Sequence, residues 1–104
     1  VGSAAGVIDC SAGEPGAVDL NTLLDRLAGL GLLRVLTEGG PSLLGAFIGA
    51  GLLDEVCLPY APMLVGGNAV RIATAGADVL TAMRPAHVLT DADGYLYTRY
   101  DRVR

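Results

Sequence analysis

The 104-residue sequence has no lysine, one histidine, two cysteines and no long apolar run free of helix breakers. Each shortage narrows what the chain can do. Seven arginines against eleven acidic residues leave a net charge of −4. The one basic cluster, Arg99, Arg102 and Arg104, fits a solvated strand end. A nucleic-acid partner needs a basic face to meet phosphates, so none is expected. His87 stands outside any cysteine or carboxylate pattern of ligand spacing, and no metal site is expected. Cys10 and Cys57 lie far apart, each inside an expected strand, and are expected as two small buried hydrophobes rather than a disulfide or a metal pair. The uncharged stretch Gly39–Leu53 carries five glycines and a proline, a poor membrane span. No basic segment precedes an apolar block at the N-terminus, so no signal peptide is expected and the location expected is cytoplasmic.

What the chain has in quantity is apolar residues, 52% against 17% charged. That excludes a disordered tail and fits one domain or part of one. Gly6–Cys10 is a short apolar run expected as a strand, followed by the loop SAGEPGA. From Asp19, leucines at 20, 23, 24, 27 and 30 fall at helical spacing, with Asp19 as N-cap and Gly29 or Gly31 as the stop. Leu32–Thr37 is apolar apart from Arg34 and Thr37, a pattern that suits a parallel strand buried on both faces. Strand, helix and strand make a right-handed βαβ unit.

A second helix is expected from Pro41 to about Ala50, with proline at its first position and Gly49 and Gly51 ending it. Asp54–Ala61 is a further strand. Pro59 removes one ladder donor there and places that strand at an edge or a bulge. Met63–Ala77 is expected as loop. Ala86–Thr90, the turn Asp91–Gly94 and Tyr95–Tyr100 form a hairpin, the last segment alternating with period two. The class is α/β with a mixed sheet, parallel early and antiparallel late.

The junction VLTEGGPSLL, residues 35–44, joins the expected parallel strand to the second helix. Glycine weakens both elements, so two of them at the boundary need a reason. One is a tight turn. The other is a ligand phosphate held on the amides of the helix start, which a β-carbon would obstruct. Ligands of open α/β sheets bind at the carboxyl ends of parallel strands, where this junction falls. The spacing matches neither the GxGxxG fingerprint nor the phosphate loop ending in GK[ST], and residue spacing alone leaves both readings open. Glu38 would repel a phosphate beside it. It is either turned toward a substrate or is a surface or capping acid.

Taken in order, Val18–Leu20, Val35–Leu43, Leu53–Glu55 and Ala61–Gly67 resemble the reductase domain of riboflavin biosynthesis. The matching pattern is a VDL helix start, a "VL-EGG-P-[ST]-L" junction, a "LVDE" strand start and an "AP-L-GG" segment. The closing HVLTDADGYLYTRY resembles stand-alone members that lack a deaminase domain. The resemblance covers nearly the whole chain. It implies a dihydrofolate-reductase-like three-layer fold, with a parallel βαβ core and an antiparallel C-terminal hairpin.

It also implies NADPH as cofactor, its diphosphate held by Gly39, Gly40, Pro41, Ser42 and Leu43, with Thr37 lining the same cleft. Glu38 would face the substrate near the nicotinamide. The implied reaction is hydride transfer to a small-molecule ribosylamino-pyrimidine, 5-amino-6-(5-phosphoribosylamino)uracil, in a homodimer. The family domain is longer at its N-terminal side. Its first strands, a catalytic aspartate and further NADPH contacts are therefore expected upstream of Val1, and residues 1–104 alone are expected to be inactive. Pro59 departs from the family pattern. Two alternatives remain: dihydrofolate reduction on the same fold, and a non-catalytic fragment that serves dimerisation through a sheet edge.

Overall fold

A computed structural model describes residues 4–74 and 78–104. They divide into two units, one running to Glu38 and the other beginning at Gly39. In the first, α1 (Leu20–Gly29) begins where Asp19 accepts hydrogen bonds from the amides of Asn21 at 3.0 Å and Thr22 at 3.2 Å. Those bonds satisfy two amides that a helix start leaves unpaired, and they hold the Asp19 carboxyl below its ordinary value. The helix stops at Leu30, and Gly31 follows at φ +81°, a left-handed position that suits glycine. Leu20 and Cys10 are the buried apolar residues of this unit. A bridge between Ser11 and Val18, and the Asp19 amide bonded to the Cys10 carbonyl at 2.8 Å, close the loop between them.

In the second unit, α2 (Pro41–Gly49) starts at proline and buries Gly45 and Phe47. Three strands follow: β1 (Glu55–Tyr60), β2 (Met83–Thr90) and β3 (Leu96–Arg102). Their order is β1-β3-β2 and both pairings are antiparallel. β1 is an edge strand, which explains how Pro59 is tolerated: it stands opposite Tyr97 and needs no donor on the open side. Thr98, buried in the central strand, donates its hydroxyl to the Leu58 carbonyl at 2.9 Å. β2 and β3 are joined by the Asp91–Gly94 turn, with Gly94 at φ +86°. Asp91 fastens that turn, accepting from the amides of Asp93 (2.9 Å) and Tyr95 (3.1 Å) and from the Tyr97 hydroxyl (2.8 Å). The Tyr97 hydroxyl, more than the amides, holds the Asp91 carboxyl below its ordinary value.

Three expectations are corrected. Gly6–Cys10 and Leu32–Thr37 are not strands: among the described residues neither has a pairing partner, and no parallel pair forms. Strands exist through their neighbours' hydrogen bonds, so an apolar run without a neighbour stays irregular. Leu33 and Leu36 are accordingly 80% and 84% exposed rather than buried on both faces. Cys57 is exposed, because it shares the open face of edge strand β1 with Glu55 and Pro59; Cys10 is buried but lies outside any strand. The expected loop Met63–Ala77 is irregular through Thr74, and its last three residues lie outside the described ones.

Candidate functional site at the start of the second helix

The first turn of α2 is bare. Gly40 is the N-cap, at φ −68° and ψ −168°, and offers no side chain to the helix amides. Pro41 has no N–H to satisfy, and among the described residues the Ser42 and Leu43 amides have no acceptor. No acidic residue stands in the first turn. Unpaired donors and the positive end of the helix dipole therefore face outward together.

The glycine pair divides into two cases. Neither residue has a positive φ, so the backbone conformation does not call for glycine at either place. A Cβ on Gly39 would collide with the Leu43 side chain, so Gly39 makes room for a neighbour one helical turn on. A Cβ on Gly40 would meet nothing within 4 Å. The space above Gly40 is open, as the approach of an outside group requires. These features fit a diphosphate: donors on the backbone, an absent β-carbon, and no carboxylate in the turn.

Of the residues singled out in the sequence, Gly39, Gly40, Pro41, Ser42 and Leu43 are brought together at this helix start. Thr37, half-buried, and Glu38, exposed, end the first unit and are linked to the junction by the chain itself. Sequence reasoning missed the contact that braces the turn. The Thr74 amide donates to the Pro41 carbonyl at 3.0 Å, and the Thr74 carbonyl lies against Gly45 where a Cβ would not fit. A signal was present: a buried glycine inside a helix costs stability and is kept for close backbone approach.

Elsewhere in the second unit, a cavity of about 370 Å³ is lined by Asp54, Glu55, Arg84, Asp101, Arg102 and Arg104. Its charges are mixed and face one another, unlike a pocket selective for one sign of ligand. Among the described residues no group of three or more histidine, cysteine or acidic side chains could hold a metal. No described helix is long and apolar enough to cross a membrane.

The sequence model of the RibD C-terminal domain matches residues 4–97. The chain belongs to that family. A 2,5-diamino-6-ribosylamino-4(3H)-pyrimidinone 5′-phosphate reductase from Methanothermobacter thermautotrophicus is 44% identical over 62 residues, covering 60% of this chain and 29% of that protein. A protein of the same name from Archaeoglobus fulgidus is 30% identical over 86 residues, 82% of this chain and 39% of its own. The chain thus spans well under half the length of these RibD-type relatives. A crystal structure of a pyrimidine reductase-like protein from Corynebacterium diphtheriae superposes with a TM-score of 0.75 at 21% identity, over 86% of this chain and 37% of that one. The fold is therefore the α/β, dihydrofolate-reductase-like fold of the RibD reductases, of which this chain forms the antiparallel hairpin, its edge strand and two helices.

Proposed function

We propose that the protein carrying this chain is an NADPH-dependent reductase of a ribosylamino-pyrimidine 5′-phosphate, and that residues 37–43 contribute to both ligand sites. The observation that carries the reading is the uncapped, acid-free start of α2 with open space above Gly40. Gly40 admits the diphosphate, the Ser42 and Leu43 amides and the Ser42 hydroxyl donate to it, and Pro41 sets the helix going. The family resemblance assigns Thr37 to the cleft and Glu38 to the substrate, and the charge of Glu38, which would oppose a phosphate, supports the second role.

When bound, a nicotinamide cofactor would supply the hydride that reduces the ribosylamino group to a ribitylamino one. The chain's own task is to hold the reacting groups side by side, which is a proximity effect. Magnitudes show that this segment does not suffice. A helix terminus contributes about 0.3–1 kcal/mol to an exposed anion, whereas a micromolar complex needs about 8 kcal/mol. Most of the affinity must come from other parts of the protein.

The names of the two archaeal relatives specify a 2,5-diamino-pyrimidinone, which differs from the uracil expected above by an amino group in place of an oxo group at the ring's second position. That difference favours the diamino compound as substrate. The exposed apolar side chains of edge strands β1 and β2, Tyr60, Val88 and Leu89, favour the homodimer implied by the family. The test is oxidation of NADPH by the whole protein with each pyrimidine and with dihydrofolate. Turnover with a pyrimidine and none with dihydrofolate is expected. Turnover with dihydrofolate alone, or with no compound, would overturn the proposal.

A further inference from the structure

We infer that Arg102 is a positioning residue for the cofactor site, because it fixes the far end of α2; the inference rests on placing the diphosphate at the start of that helix. α2 closes its own last turn with the Gly51 amide on the Ile48 carbonyl and the Leu52 amide on the Phe47 carbonyl, both at 3.0 Å. No basic residue stands in that turn, so the helix itself brings nothing to the negative end of its dipole. Arg102, the last residue of the central strand β3, brings it from outside. Its guanidinium donates to the Gly51 carbonyl, and a Cβ on Gly51 would lie 3.5 Å from one of its nitrogens. A cation on a carbonyl makes a stronger bond than two neutral groups do.

The backbone of Arg102 is anchored as well. Its amide donates to the Asp54 carbonyl at 2.8 Å, and Asp101 before it stands opposite Glu55 in the β1–β3 register. One half-buried residue therefore ties both ends of residues 51–54, the connector from α2 to β1. Arg104 reaches the same connector, but only through the exposed carboxylate of Asp54, where solvent screens the pair.

The nine residues of α2 make a rod about 14 Å long. Thr74 holds it near the start, at the Pro41 carbonyl and against Gly45, and Arg102 holds it beyond the other end. A rod released at one end pivots about the other. That swing turns the Ser42 and Leu43 amides off the line that a bound diphosphate needs, and an error of about 1 Å in placing bound groups can cost about a hundredfold in rate.

The experiment titrates the whole protein with NADPH by nicotinamide fluorescence and measures the pyrimidine KM at saturating NADPH. Arg102→Ala should weaken NADPH by about fivefold, with the pyrimidine KM changed by less than about twofold. Arg102→Lys, which keeps a charged donor, should recover part of the loss. Arg104→Ala should leave NADPH affinity unchanged. Where Arg102→Ala fails to fold, Arg102→Gln, which keeps a donor without the charge, carries the same expectation. A merely structural Arg102 would lower the folded fraction, and with it the titration amplitude, at an unchanged dissociation constant; that result would overturn the inference. An equal loss in Arg104→Ala, or a lysine variant no better than alanine, would also overturn it. Gly40→Val separates this failure from that of the underlying site. If Gly40→Val weakens NADPH and Arg102→Ala does not, only the role of Arg102 falls. If Gly40→Val leaves NADPH affinity unchanged, the placement of the diphosphate falls and the role of Arg102 with it.

Discussion

A side chain at Gly40 would find no neighbour, and one at Gly39 would find only Leu43. At the scale of single residues this separates a glycine kept for its own fold from one whose reason lies outside it. Neither has a positive φ, so a left-handed backbone explains neither glycine. Glu38, next to them, is argued to meet substrate rather than cofactor. Glu38→Gln should lower kcat/KM for the pyrimidine by about tenfold while leaving the NADPH dissociation constant unchanged. Steady-state kinetics with a separate cofactor titration check this; normal kinetics would remove Glu38 from the site.

Asp91 carries a different prediction. Its folded pKa is depressed below 3.8, first by the Tyr97 hydroxyl and then by turn amides. A depressed carboxylate contributes stability above its unfolded pKa and loses it as pH falls through the folded value. Thermal melts should therefore show the wild-type protein more stable than Asp91→Asn at neutral pH. The gap should narrow as pH drops below 3.8.

At the scale of elements, what the sequence disclosed depended on how local the causes were. Asp19 caps α1 through its own neighbours, Pro41 starts α2, and the DADG turn sets the hairpin; all three follow from residues within one turn of each other. Pro59 marked an edge strand for an equally local reason. The run Leu32–Thr37 has the composition of a buried parallel strand, yet composition supplies no partner, and among the described residues none pairs with it. The seat of Thr74 on Gly45 joins residues 29 apart in sequence (74 minus 45), which no spacing pattern reveals. Gly45→Ala would drive a β-carbon into a backbone carbonyl that has no flexible end to move. A loss of about 1–3 kcal/mol is expected from such overpacking, measured by urea unfolding of the whole protein. An unchanged midpoint would mean that the Thr74 segment shifts freely and braces nothing.

At the scale of the whole molecule, the chain belongs to the RibD C-terminal domain family and covers 29% and 39% of two curated relatives. Large apolar side chains at Leu33, Leu36, Leu64 and Leu80 are mostly or fully exposed, which is more than scattered surface residues account for. The central claim is that the α2 start holds the cofactor's diphosphate within the larger protein. NADPH titration of the whole protein with Gly40→Val tests it most directly, because a Cβ there meets nothing within 4 Å and φ −68° accommodates it. The account predicts NADPH affinity lower by about tenfold or more, with a circular-dichroism spectrum that changes little. Undiminished affinity in a folded Gly40→Val protein would contradict it, and the glycine pair would then be no more than the join between two elements.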